Sequence, residues 1–155
     1  MMLLLAVLTS SVSAMAQQPQ SLEDAQIHDG DTLAIGQRRI RIADIDAPEL
    51  RQTCRRADGA DWVCGEAATE ALRALVVGGV TCITQSHDRY GREVASCTNG
   101  RKQDLGAEMV RLGWALAYTR FSAAYIAQEA TARQAQAGIW SGSFLRPEEF
   151  RHRGR

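Results

Sequence analysis

Residues 32–35 and 39–45 form two short runs on either side of Gly36-Gln37, and they read as a hairpin with alternating faces. Period-two alternation puts successive side chains on opposite faces of a strand, and a glycine-containing two-residue break lets antiparallel strands turn. In the second run polar residues fall at 39 and 41 and then at 44 and 46, so the alternation changes phase between Ile42 and Ala43. A phase change requires a bulge or a sharp bend, which re-aims the side chains that follow. The expectation is that Arg41 and Asp46 reach one site despite their opposite parity.

The rest of the chain alternates strand and helix signals. Residues 50–65 read as a long loop with two cysteines, three arginines and Trp62, a length that hints at function or a disulfide staple. Residues 66–77 carry Ala68, Ala71, Leu72, Leu75 and Val76 at helical spacing and stop at Gly78-Gly79, which predicts a helix with one face on a core. Residues 80–85 and 93–98 are β-type runs around Asp88–Arg92 and predict a second hairpin. Asp104 is placed to cap a short helix through Leu105, Met109 and Leu112 that ends at Gly113. Ser122 is placed to cap an alanine-rich helix that Gly138 stops, with Ile139-Trp140 folding back onto it. Trp114 and Trp140 read as core. The pattern by itself supports a mainly β, α+β class.

Four segments carry chemistry: Asp29-Gly30-Asp31-Thr32, Arg41, Asp46-Ala47-Pro48-Glu49, and Asp88-Arg89-Tyr90-Gly91-Arg92. Asp31, Asp46 and Glu49 supply three carboxylates, and Arg41 and Arg92 supply two guanidinium groups. Carboxylates at close quarters resist ionising together unless a cation sits among them, while the guanidinium fork matches phosphate oxygens. Acids for a metal and arginines for a phosphate point to phosphodiester chemistry.

In this order and spacing the set resembles the thermonuclease family, the staphylococcal nuclease-like domains, over about residues 26–140. The resemblance implies a five-stranded OB-fold barrel with three α-helices. It implies Asp31 and Asp46 as side-chain ligands of Ca²⁺ and Ala47 as a backbone-carbonyl ligand. Glu49 would act on the attacking water as general base or positioning acceptor, and Arg41 and Arg92 would clamp the phosphate. The best-known member has threonine where this chain has Ala47, which does not touch a carbonyl ligand. Tyr90 and Tyr118 are expected to stack on or hydrogen-bond to a nucleotide. The implied activity is calcium-dependent hydrolysis of DNA and RNA, single strands preferred, to 3′-phosphorylated products by a monomer. The competing reading is a catalytically weak OB-fold module that binds nucleic acid. His28 and His87 match no catalytic position of the family and read as surface residues.

The chain of 155 residues carries 18 basic and 18 acidic residues, a formal net charge of zero. Bulk electrostatics therefore do not gather a polyanion, although 17 of the 18 basic residues are arginine, suited to local bidentate phosphate contacts. Residues 1–16 are apolar and uncharged and end in Ala14-Met15-Ala16, which reads as a signal peptide and predicts a secreted or periplasmic protein without stable membrane association. Residues 17–23 read as a flexible lead-in, 24–145 as one domain, and 146–155 as a basic, flexible, solvated tail.

The cysteines Cys54, Cys64, Cys82 and Cys97 have no Cys-x-x-Cys spacing, which argues against zinc, and export makes disulfides the expectation. Three pairings exist. Local pairing favours Cys54 with Cys64 and Cys82 with Cys97. If Arg89-Tyr90 are a two-residue turn, Cys82 faces Cys97; if Gly91 is a bulge residue, the register slips and the thiols face apart.

Overall fold

The first hairpin forms where the alternation predicts it, and the second is longer than expected. The computed structural model describes residues 25–120 and 122–153. The expected signal peptide, the lead-in and the last two residues of the tail lie outside the described residues. In chain order the elements are β1 (Ala25–Ile27), β2 (Thr32–Ile35), β3 (Arg38–Ile42), β4 (Ile45–Asp46), β5 (Thr53–Arg56), β6 (Asp61–Val63) and α1 (Cys64–Leu75). They continue with β7 (Val80–His87), β8 (Glu93–Asn99), α2 (Leu105–Arg111), β9 (Leu116–Ala117), α3 (Ile126–Gln134), a 3₁₀ turn at Gly138–Ser141, β10 (Gly142–Ser143) and α4 (Pro147–Arg153).

The main sheet has five strands in the order β1-β2-β3-β8-β7, and it is mixed because β3 and β8 run parallel. A three-stranded sheet, β10-β5-β6, and a two-stranded one, β4-β9, complete the β structure. The closed five-stranded barrel with three helices therefore needs correcting: the five-stranded sheet is open, and four α-helices are present among the described residues. The cause lies at the predicted phase change. Ala43 N donates to Ala95 O at 2.8 Å, and then Asp44 adopts a positive φ of 63°. The chain leaves the main sheet there, and β4 pairs with β9 instead.

The core lies between the main sheet and the helices. Leu33, Ile35, Ile40 and Ile42 from β2 and β3 pack with Ala68 and Leu72 of α1 and with Leu105 and Met109 of α2. Each large apolar side chain buried in this way contributes roughly 1.5–3 kcal/mol relative to exposure. Asp104 caps α2 as predicted, its Oδ1 accepting from Ala107 N at 3.1 Å. Helix α3 starts later than expected, because the Ser122 hydroxyl accepts from Ala124 N within a preceding turn and Tyr125 takes the cap position. Trp140 joins a second apolar cluster with Cys54, Cys64, Leu116 and Ile139, and Trp114 packs against the main core.

The long loop expected at residues 50–65 contains a hairpin. Cys54 of β5 pairs with Trp62 of β6, and the turn closes through Gly59 N donating to Arg56 O at 3.0 Å. Asp58-Gly59 is a hairpin turn signal, but the strands it joins are mostly exposed and so carry little apolar alternation.

Both cysteine pairs form as favoured, Cys54 with Cys64 and Cys82 with Cys97. The second pair forms through both of the turn geometries considered. Gly91 has a positive φ of 77°, and Asp88 N donates to Arg92 O, so His87 faces Glu93 and the register slips by one residue near the turn. A second irregularity between Thr84 and Ser86 takes up the slip, and Cys82 then faces Cys97. The two offsets cancel.

Residues 147–153, expected to be a flexible solvated tail, form α4. Pro147 sits at its first position, Glu148 and Glu149 lie in the first turn, and Arg151, His152 and Arg153 lie in the last. That distribution matches the helix dipole.

Candidate active site

The Asp29–Thr32 turn sets the acid wall. Asp31 N donates to Asp29 Oδ1 at 2.9 Å, and Ile42 N donates to Asp31 O at 2.8 Å, which ties the turn to β3. Gly30 is required here by space, since a Cβ would lie 2.7 Å from the Ala47 side chain and 3.0 Å from that of Ala68. The turn therefore packs directly on the Asp46–Glu49 segment. Asp31 Oδ2 accepts from Ala47 N at 3.1 Å across that contact.

Arg41 lies opposite Thr32 in the β2–β3 register and reaches both acids. Its Nη1 donates to Asp31 Oδ1 at 2.7 Å, and its Nη2 donates to Ile45 O at 3.1 Å and to Asp46 Oδ1 at 3.4 Å. The bend at Ala43-Asp44 thus brings Arg41 and Asp46 together despite their opposite parity. Asp31 and Asp46 are 4% and 3% exposed, so their charges are compensated inside the fold rather than by water. Burial is the main cause that pushes the Asp46 carboxyl above the usual carboxylate range, against the pull of an arginine partner. Asp29, beside them, is pushed up to about 6 by burial and by the Asp31 charge. Burial thus disfavours the charged form of both Asp29 and Asp46.

Arg92 approaches from the β7–β8 hairpin. Its Nε donates to Asp88 Oδ2 at 2.7 Å, and its Nη1 donates to the Thr32 hydroxyl at 3.3 Å. Thr32 in turn donates to Asp31 Oδ1 at 3.0 Å, so Arg92 connects to the acids through one hydroxyl. Asp88 holds the loop in shape by accepting from Tyr90 N and Arg92 N. Glu49 follows β4, and its backbone is pinned where Gly65 of α1 approaches so closely that a Cβ would lie 1.8 Å from Glu49 O. Asp31, Arg41, Ala47, Glu49, Tyr90, Arg92 and Tyr118 all line one cavity of about 1210 Å³. His28 and His87 are exposed, as expected.

Two participants were not foreseen. Arg151 of α4 donates from Nη1 to Asp46 Oδ1 at 2.9 Å and to Glu49 Oε1 at 2.8 Å, and from Nη2 to Asp46 Oδ2 at 3.3 Å. Burial disfavours its charge, but the bonds to Asp46 and Glu49 outweigh this and raise Arg151 above the usual arginine range. Asp29 is the other, adding a fourth carboxyl to the cluster. The signal for Arg151 was present in Pro147, the acidic first turn and the basic last turn of α4.

For a metal, the donor chemistry fits a hard divalent cation: Asp29, Asp31, Asp46 and Glu49 all offer carboxylate oxygens, and the Asp31 charge adds to burial in raising Asp29 and Asp46. Among the described residues no group of three or more acids, histidines or cysteines is gathered as a ready-made metal site. Two carboxylates and a carbonyl fall below that number in any case. Arg41 and Arg151 now supply the positive charge.

A family model described as staphylococcal nuclease homologue matches residues 39–142, more than half of the chain. The chain is 33% identical over 139 residues to a succinoglycan biosynthesis protein, ExoI, of Rhizobium meliloti, covering 88% of this chain and 72% of that protein. It is 30% identical over 136 residues to an uncharacterized endonuclease of Escherichia coli O157:H7, covering 83% and 82%. A probable endonuclease, LCL3, of the fungus Uncinocarpus reesii is 33% identical over 135 residues, covering 74% of this chain and 44% of that longer protein. The matched span runs from β3 to β10 and takes in Arg41, Asp46, Glu49 and Arg92. The chain belongs to the staphylococcal nuclease homologue family.

Proposed function

We propose that the protein is an exported, calcium-dependent nuclease that hydrolyses phosphodiester bonds of DNA and RNA, preferring single strands and leaving 3′-phosphorylated products. The observation that carries this reading is the meeting of Asp31 and Asp46 at Arg41, of Asp46 and Glu49 at Arg151, and of Arg92 with Thr32, with Asp31, Arg41, Glu49 and Arg92 lining one cavity. Relatives named endonucleases support a nucleic-acid substrate. Two disulfides and no free cysteine suit an oxidising compartment, in keeping with a signal peptide at residues 1–16.

In this reading Asp31, Asp46 and the Ala47 carbonyl would hold the ion through oxygen alone and leave its other positions to water and substrate; calcium's loose oxygen coordination suits such a site, whereas magnesium would demand tighter, octahedral geometry. Once bound, the ion supplies positive charge that offsets the negative charge of the reacting phosphate. Glu49 accepts a proton from, or orients, the water that attacks phosphorus in line, while the bond from phosphorus to the 5′ oxygen breaks and that oxygen leaves, taking up a proton to become the 5′ hydroxyl. Arg41 and Arg92 exchange their present acceptors for phosphoryl oxygens and stabilise the charge that builds there. Tyr90 and Tyr118 offer rings to the neighbouring nucleotide. The protein works as a monomer.

A second reading, an OB-fold-type module that binds nucleic acid with little turnover, is favoured by one observation: Arg151 already pairs with Asp46 and Glu49. One assay decides between them. The nuclease reading expects purified protein to degrade heat-denatured DNA with calcium and to stop when a chelator is added; intact DNA under both conditions leaves the binding reading.

A further inference from the structure

We propose that Arg151 is a tethered internal cation that competes with the divalent ion for Asp46 and Glu49, so that α4 is a strap which metal binding lifts from the cavity. The inference rests on the metal reading given above and adds a regulator to it. Both oxygens of Asp46 accept from Arg151, and Glu49 accepts from the same Nη1. A residue that merely oriented Glu49 would have no need of Asp46. Bridging the two instead puts a positive charge between a proposed ligand and the acid that handles water, where a divalent ion would meet it as a like charge in a poorly screened site.

The rest of the strap is built to yield. Leu145 O, just before α4, is anchored by Gln52 Nε2 at 2.8 Å, and Gln52 is fully buried. Pro147 is buried as well. Further along α4, Glu148 pairs with Arg120 at 2.9 Å, with Arg120 well exposed and Glu148 half-buried, and such a pair open to water contributes little. The helix has a fixed root and a lightly held body, with Arg151 at its far end. Closure of the strap lowers apparent metal affinity in proportion to the fraction of molecules that are open.

Calcium titration calorimetry on the full chain tests this, comparing wild type with Arg151→Gln and Glu148→Gln, together with hydrogen exchange at residues 147–153. The expected result is about tenfold tighter calcium binding in Arg151→Gln, a smaller gain in Glu148→Gln, and faster exchange across α4 in wild type at saturating calcium. Equal or weaker binding in a folded Arg151→Gln overturns the strap and leaves the metal reading intact. Should that variant fail to fold, unchanged exchange across wild-type α4 on calcium saturation overturns it equally. Absence of calcium uptake in every protein removes the metal reading and the strap together.

Discussion

On one side of the site, Asp31 in the turn before β2 and Asp46 in β4 are buried and fixed by backbone contacts: Gly30 packed on Ala47, Ala47 N on Asp31, and the bend at Asp44. On the other, the guanidinium groups of Arg92 and Arg151 are delivered by the tip of a hairpin and by a terminal helix, and each is held by carboxylates it can exchange. Arg41 belongs to the first wall, since it lies in the main sheet and neutralises a buried acid. The difference teaches that the buried acids, with Arg41, are part of the fold, while Arg92 and Arg151 are brought to them from its edges. Mutations in the two halves should then separate activity from stability.

The largest separation is expected between the two arginines. Arg41→Ala and Arg92→Ala each lose on the order of 10²-fold or more in cleavage rate. Arg41→Ala also leaves Asp31 buried without its partner and costs roughly 3 kcal/mol of stability, whereas Arg92→Ala, whose partner Asp88 is less buried than Asp31, costs about 1 kcal/mol. Single-turnover cleavage and urea melts in chelator measure both effects. An Arg41→Ala protein as stable as wild type would break the distinction between the walls.

The staple at the base of the hairpin comes next. Cys82–Cys97 closes a separation of 15 residues, and its loss in Cys82→Ser/Cys97→Ser costs about 3 kcal/mol on loop-closure grounds. Hydrogen exchange should rise mainly along β7 and β8, with the amides of β2 and β4 little changed. A uniform rise over both sides would mean that the acid side depends on the hairpin staple as much as the hairpin does.

Smaller still is the effect on metal demand. Asp46→Asn is expected to raise the calcium concentration for half-maximal cleavage about tenfold, and Asp88→Asn less than twofold. Equal shifts would place the hairpin carboxylate among the cation ligands.

How far the sequence could be read follows the same division. The acid wall was legible: the order of the acidic and arginine segments, the phase change at Ile42-Ala43 and the asparate cap at Asp104 all report local geometry that short-range physics dictates. The second hairpin was legible in its existence and its disulfide but not in its register, because two one-residue offsets that cancel leave no net trace in residue counting. The β5–β6 hairpin was hidden because exposed strands have no apolar face to alternate. Helix α4 was hidden because seven mostly polar residues carry no core periodicity, although its end charges were in view. The chain leaves the main sheet at Asp44, a non-glycine residue at positive φ with no glycine or proline beside it to mark the bend.

The smallest predicted effect concerns the seam between the walls. Glu93 of β8 accepts from Arg38 Nη2 at 2.6 Å, and bonds from Arg38 and Thr84 hold its carboxyl at about 2. Because the folded value lies below the ordinary 4.5, this pair stabilises the fold above pH 4.5 and loses that contribution as pH falls toward 2. Glu93→Gln should lower the melting temperature by roughly 2–4 °C at pH 7, with the difference fading below pH 4.5. A difference that persisted unchanged at pH 2 would deny the ionised pair its role.

The central claim is that the two walls serve one cation and one phosphate at once, so their ligands must help each other. Calcium titration with and without a non-cleavable thymidine dinucleotide measures this directly, since coupling between two ligands is reciprocal. The account predicts that saturating dinucleotide tightens calcium binding by at least about fivefold and that Asp31→Asn removes the effect. Calcium affinity indifferent to the dinucleotide would contradict a shared site.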